Sequence, residues 1–347
     1  MRPSRNLLTA VSVVAVLSLG ACGGTADTAS DAAGGSASAE AESAAFPVTI
    51  EHAFGETTIE EQPERVATVA WANHEVPLAL GVVPVGMSEA TWGDDDGDGV
   101  LPWVEDALGE LGAETPVLFD ETEGIDFEAV ANTSPDVVLA AYSGLTQEDY
   151  DTLSQIAPVI AYPETAWGTS LEDMITMNAR AMGKSAEGEE LVADLEQQVS
   201  DAMAKRPELE GKSVMFTYLD PNDLSQVGFY TTHDPRAGFL EDIGLTTPPV
   251  VAEETAKTDE FYVSTSAEQN DRLADVDIFI TYGSPELLTQ VQNDPLMKQI
   301  PAVQRGSVAM LQDSTPLAAA ANPSPLSIGW GIGDYLDELA AAAAKVG

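Results

Sequence analysis

Between residues 185 and 206, Leu191, Leu195, Val199 and Met203 recur every four positions in the polar run SAEGEELVADLEQQVSDAMAKR. That spacing predicts one amphipathic helix with a single apolar stripe. Glu187, Glu189 and Glu190 in its first turn and Lys205 and Arg206 in its last match the helix dipole. Ser185 is placed to cap it and Pro207 to stop it. Such a helix would be roughly 30 Å long, about one domain diameter.

On either side, short continuous apolar runs alternate with amphipathic segments. Before the helix, residues 48–59 read as a hairpin turning at Phe54-Gly55, followed by strands VATVAW, GVVPVG, SPDVVLAAYSG and PVIAYP. Helices are expected over 73–80, 104–111, 127–132, 148–156 and 171–182, with Gly183 ending the last. After it come strands SVMFTYL, DVDIFITYG and VAML, with helices within 233–243 and over 287–298 and 329–345. Apolar strands separated by helices predict parallel sheets covered on both faces. The expected fold is therefore α/β: two Rossmann-like lobes, residues 46–183 and 208–347, joined by one long helix at 184–207, with a ligand cleft between them. SPDVVLAAYSGLTQEDYDTLSQIAPVIAY in the first half is echoed by LADVDIFITYGSPELLTQ in the second, as a duplicated unit would be.

Charge narrows the partners. Fourteen basic residues against 58 acidic ones give a net charge of −44, which would repel a phosphate backbone and argues against nucleic acid. The single cysteine, Cys22, allows no disulfide within the chain. Arg2 and Arg5 precede an apolar stretch from Leu7 to Leu19, and Leu19-Gly20-Ala21-Cys22 resembles a bacterial lipobox. Residues 1–21 are then a signal peptide, Cys22 carries the lipid, and the Gly-, Ala- and Ser-rich stretch 22–45 is a flexible tether. The expected location is the outer face of the cell membrane, held by that anchor.

PERVATVAWANHEVPLALGVVPVGM, SPDVVLAAYSG, IAPVIAYP and RAMGKSAEGEELVADL before GKSVMF together resemble the iron–siderophore substrate-binding lipoproteins of ABC importers. The resemblance runs from Phe46 to the C-terminus. It implies a monomeric receptor, not an enzyme, that needs no cofactor of its own. It implies a ferric siderophore held between two lobes, small closure because the link is one stiff helix, and docking on a permease through one exposed acid per lobe. Glu148 and Glu286, placed after the echoing strands, match those acids.

Independently, ligands of open α/β sheets bind where strands end. Those ends carry Trp71, Met87 with Trp92, Tyr142, Tyr162 with Trp167, Tyr218 and Tyr282, although aromatic residues make up only 6% of the chain. With His74, Tyr230 and Arg236 they form the candidate ligand set, an aromatic lining suited to a bulky organic molecule. Arg65 is the only basic residue between Phe46 and Ala166 and looks structural, while the second half offers Arg236 and Arg305. So few cations favour a neutral or cationic hydroxamate complex over a tri-anionic catecholate, with Arg236 contacting ligand oxygens. Haem or cobalamin are the alternatives on the same fold, since Met87, His74 and Tyr142 are axial-ligand types. An extracellular hydrolase using paired carboxylates is the alternative from another class, although no nucleophile elbow, HExxH or phosphate loop occurs in the sequence.

One further motif stands apart. Asp94, Asp96, Asp98, Gly99 and Glu105 fall at calcium-loop spacing (positions 1, 3, 5, 6 and 12), with Pro102 stiffening the ninth position and no helix predicted before it.

Overall fold

The computed structural model describes residues 46–346; the signal peptide, Cys22 and the tether lie outside the described residues. The alternation of Val48, Ile50 and His52 with exposed neighbours produces strand β1 (Val48–His52), which pairs antiparallel with β2 (Gly55–Ile59). The first lobe is then a five-stranded sheet of β3 (Val66–Thr68), β4 (Gly86–Ser88), β5 (Val117–Phe119), β6 (Val137–Ala140) and β7 (Val159–Ala161). Its order is β5-β4-β3-β6-β7 and every pairing is parallel. Helices α1 (Glu75–Ala79), α2 (Pro102–Leu111), α3 (Phe127–Asn132), α4 (Gln147–Leu153) and α5 (Leu171–Ala181) connect and cover it. Expectation and structure agree closely for the hairpin and for α3. They differ at β4, which starts only at Gly86, because Gly81 (φ +76°) ends the preceding turn and Pro84 has no amide for a ladder.

The linking helix α6 runs from Ser185 to Met203. Ser185 lies inside its first turn; Lys184 occupies the cap position and no side chain caps it. Arg206 leaves the helix to donate to Asp337 Oδ1 at 2.7 Å and to the Gly333 carbonyl at 2.6 Å, and Pro207 opens a 3₁₀ turn. Gly188 presses on Ala179 of α5: a Cβ there would come within 2.5 Å of the alanine methyl. Of the stripe read from the sequence, Leu195 and Val199 are buried, and Leu191 and Met203 are partly buried and pack against the same core.

The second lobe holds β8 (Val214–Tyr218), β9 (Gln226–Tyr230), β10 (Tyr262–Ser266), β11 (Ile278–Gly283) and β12 (Val308–Gln312) in the order β10-β9-β8-β11-β12. Here the expectation of a parallel sheet is corrected. β8, β11 and β12 are parallel, whereas β9 runs antiparallel to both β8 and β10. The link from β8 to β9 is a short turn closed by Asp220 and Asp223 onto their own following amides, too short for the crossover a parallel neighbour needs. Helices α7 (Pro235–Asp242), α8 (Pro249–Thr255), α9 (Pro285–Asn293), α10 (Pro301–Arg305), α11 (Pro316–Ala320) and α12 (Ser327–Ala343) complete the lobe.

The last segment returns to the first lobe. Ala319 of α11 is buried in one cluster with Leu78, Met87, Trp103 and Val104, and Trp330 of α12 packs against Trp103 at 5.2 Å. Glu75, 1% exposed, accepts from Trp103 Nε1 at 2.7 Å and from the Leu326 amide at 2.9 Å. Burial raises its carboxyl above the usual range, and these donors offset part of that.

Candidate functional site

Aromatic side chains of the two sheets meet in one cluster between the lobes, with Tyr142, Tyr230 and Tyr282 buried in it and Trp71, Trp92 and Trp167 packed against it; we call this junction the gap. Chain direction after β3 reverses sharply because Ala70 and Ala72, both at φ +60°, flank Trp71 in the left-handed region. Left-handed non-glycine residues cost energy and persist only where neighbours hold them. Asn73, fully buried, is one such neighbour: its Nδ2 donates to the carbonyls of Val69 and Tyr142, each at 2.8 Å, and its Oδ1 accepts the Tyr142 amide at 3.1 Å. Glu121, just past β5, is the other. Its carboxylate accepts the Ala70 amide at 2.9 Å and Ser88 Oγ at 3.1 Å, while burial pushes its pKa up to about 7.

Tyr142, tied to Trp71 in this way, meets Trp167 edge-on at 5.3 Å. Trp167 is itself left-handed (φ +61°), its amide donating to the Ser143 carbonyl. Gly144 is required beside it, because a Cβ there would lie 2.2 Å from the indole nitrogen. Trp71 approaches Trp92 at 6.5 Å between ring centres, and these four rings form the first-lobe wall.

The opposing wall comes from β9, α7 and β11. Trp92 of the first lobe presents its ring edge-on to Tyr282 of the second at 5.2 Å, an 85° contact across the gap. Tyr282 also packs on Phe216, and Phe216 on Tyr230. The Arg236 guanidinium lies over the Tyr230 ring, 3.8 Å from its centre, and donates from Nη1 to the Tyr230 hydroxyl at 3.2 Å. Asp234, 0% exposed, takes the other side of the fork: Nε donates to Oδ1 at 2.8 Å and Nη2 to Oδ2 at 2.6 Å. Burial alone would lower the Arg236 pKa, but the Asp234 bonds hold it well above the ordinary value. Burial pushes Tyr142 up to about 12 and Tyr282 higher still. All three tyrosines at the gap are therefore neutral hydroxyls. Asn322, in the returning segment, donates from Nδ2 to the Tyr142 hydroxyl at 3.1 Å.

Trp71, Trp92, Tyr142, Trp167, Tyr230, Arg236 and Tyr282 thus converge, and the remaining candidates do not. Met87 is corrected: at 1% exposure it belongs to the core with Leu78 and Trp103. His74 is corrected likewise, enclosed at the start of α1, where burial lowers its pKa to about 4 and keeps it neutral. Tyr162 is taken up by Phe54 of the hairpin and by the Leu145 carbonyl. Tyr218, 46% exposed, is the last residue of the central strand β8. Arg65 and Arg305 spend their guanidinium groups on backbone carbonyls, of Thr133 and Ser134 and of Val276 and Asp277 respectively. Glu148 and Glu286 are both exposed in the first turns of α4 and α9.

The carboxylates of Asp94, Asp96 and Asp98 lie within 4.8 Å of one another. Asp94 accepts the amides of Gly97 and Gly99, each at 2.8 Å, and Asp98 that of Val100, bonds that by themselves account for the turn. Glu105 sits beside Asp98; burial first, then that charge, raises its carboxyl.

Over residues 66–315 the chain matches the periplasmic binding protein family. It belongs to that family. Among curated proteins, it is 28% identical to the probable siderophore-binding lipoprotein YfiY of Bacillus subtilis (strain 168), over 76% of this chain and 80% of that one. It is 22% identical to the iron(3+)-hydroxamate-binding protein YxeB of the same organism, over 87% of each. Among solved structures, PiaA of Streptococcus pneumoniae TIGR4 in complex with ferrichrome is 45% identical, with a TM-score of 0.83 over 86% of this chain and 99% of that one. The periplasmic binding protein fold accounts for the two lobes and for a gap at the strand ends.

Asn73, Glu121, Asp234 and Asn322 are site residues that the sequence pattern did not single out. Only Asp234, two residues before Arg236 and at the cap of a Pro-initiated helix, carries a local signal that could have been read.

Proposed function

We propose that this chain is an extracytoplasmic substrate-binding lipoprotein that captures a ferric siderophore of the hydroxamate type and delivers it to an ABC importer. The observation that carries this reading is the charge of the gap. Arg236, the cation that reaches it, is already balanced by the fully enclosed Asp234, and the rings that converge beside it are neutral. A tri-anionic catecholate complex would enter with unmatched charge, whereas a neutral hydroxamate complex offers oxygens to Arg236 and apolar surface to the rings. Relatives named for siderophore, ferric hydroxamate and ferrichrome binding support the same substrate class. The protein's work is binding rather than catalysis, and the iron is held by the siderophore.

In this reading Cys22 carries the lipid anchor, and the folded part works as a monomer on the outer face of the membrane. Glu148 and Glu286 meet basic residues on the two halves of the permease, their exposure at helix N-termini leaving both free to pair. Reversing both charges should abolish iron uptake while leaving siderophore affinity unchanged; uptake at the original rate removes this docking role.

Tryptophan-fluorescence titration tests the ligand. Ferrichrome or ferrioxamine should quench strongly, and a ferric triscatecholate, haem and cobalamin weakly or not at all. Tight binding of the triscatecholate with none of the hydroxamates would overturn the reading.

A further inference from the structure

A cavity of about 610 Å³ lies along the linking helix and is lined by none of the rings of the gap. That volume falls in the range of pockets that hold small organic ligands. Its floor is apolar and is assembled from both lobes. α5 contributes Leu171 and Ile175, α6 contributes Val192 and Val199, and α7 contributes Phe239. Three carboxylates, Glu172, Glu196 and Asp242, also line it, and no Lys, Arg or His does. Glu196 of α6 and Asp242 at the end of α7 are close enough to repel: burial first, then Glu241 and Glu196, raises the Asp242 carboxyl.

We infer that this hinge cavity is a binding site for an amphipathic organic cation, an apolar ring or chain carrying an ammonium group. The apolar body would fill the space against Ile175, Val192, Val199 and Phe239, leaving water for contact with this apolar lining, and that transfer is the driving force. The ammonium would sit at the mouth between Glu196 and Asp242, replacing a like-charge repulsion with two ion pairs. An anionic molecule of the same shape would meet three carboxylates and no counter-charge. This site is independent of the siderophore reading, because its residues and its ligand charge differ from those of the gap.

The test uses three probes with one apolar body, naphthylmethylamine, naphthylmethanol and naphthylacetate, titrated calorimetrically into the protein at neutral pH. The amine should bind about tenfold more tightly than the alcohol, the scale of two partly exposed ion pairs, and the acid should not bind. The double variant Glu196→Gln, Asp242→Asn should bring the amine down to the level of the alcohol. Val192→Phe, which fills the floor, should remove both. Because the double variant changes only rim residues, it stays informative should the filled variant fail to fold. Equal affinity for amine and acid, no binding of any probe, or displacement of the amine by ferrichrome would each overturn the assignment.

Discussion

The two walls of the gap are built by different means. The first-lobe wall is held from behind: Trp71 and Tyr142 stand where they do because Asn73 and Glu121 fix the backbone at the exits of β3 and β6. The second-lobe wall is held from within: Arg236 itself binds both the Tyr230 hydroxyl and the enclosed Asp234. The first arrangement keeps polar groups behind an apolar face, and the second brings a guanidinium to the face with its counter-ion enclosed behind it. The contrast teaches that the shape of the site resides mainly in the first lobe and its polarity in the second. Substitutions in the two walls should therefore fail in different ways.

The largest effect is expected where the ion pair is cut. Arg236→Leu leaves Asp234 buried without its counter-ion, and thermal or urea unfolding should show a loss of about 3–5 kcal/mol. Adding Asp234→Asn should recover most of that stability, because asparagine still accepts the Arg236 backbone amide that Asp234 takes at 2.9 Å. Siderophore affinity should stay lost in the double variant. Recovery of both would mean that the guanidinium is a structural group only, and the second wall would then resemble the first.

Glu121 sets the next effect, and it concerns the neutrality of the first wall. Its pKa rises from 4.5 to about 7 on folding, so the folded chain holds this proton more tightly than the unfolded chain does. Stability contributed by this group is therefore complete below about pH 4.5 and is lost as pH rises through 7, a swing of roughly 3 kcal/mol. Glu121→Gln should flatten the stability profile across that window, as read by chemical denaturation at a series of pH values. An unchanged slope would show that the carboxylate is as well solvated folded as unfolded, and that the apolar wall has no buried acid behind it.

How far the site was legible follows from the same contrast. Strand exits are marked by apolar runs that end, so Trp71, Tyr142 and Tyr282 could be placed from the pattern alone. The linking helix could be placed because its stripe repeats over more than three turns. The supports could not. Glu121 and Asn73 act through the left-handed residues Ala70 and Ala72, and alanine carries no local signal for that conformation. Asn322 reaches Tyr142 only because the chain returns from the second lobe, 180 residues away. Strands β9 and β10 escaped notice for a simpler reason. QVGFY and YVSTS are short and partly polar, and Gly228 sits in the first because the Tyr262 ring lies across it, where a Cβ would meet the hydroxyl at 1.7 Å.

Trp92 meets Tyr282 of the other lobe ring to ring, and Trp92→Ala should weaken siderophore binding ten- to a hundredfold, about 1.5–3 kcal/mol, with little change in unfolding. Trp167→Ala, on a ring that meets only Tyr142 among the aromatic groups, should cost less affinity. Equal losses would mean that contact across the gap gives Trp92 no special weight.

The smallest effect sharpens the comparison most, because it separates the returning segment from the lobe it lands on. Tyr142→Phe deletes one hydroxyl and leaves the ring against Trp167, so the first wall keeps its shape. What goes is the bond accepted from Asn322 Nδ2, whose own Oδ1 already has no partner among the described residues. A hydrogen bond of this kind is worth about 1 kcal/mol, somewhat more where the remaining group stays buried. If the bond serves only to seat the returning segment, that loss should appear in unfolding, and ferrichrome affinity should hold within about twofold. If the Tyr142 hydroxyl instead turns to the ligand, affinity should fall while stability stays level, and the first wall would then carry a polar contact of its own.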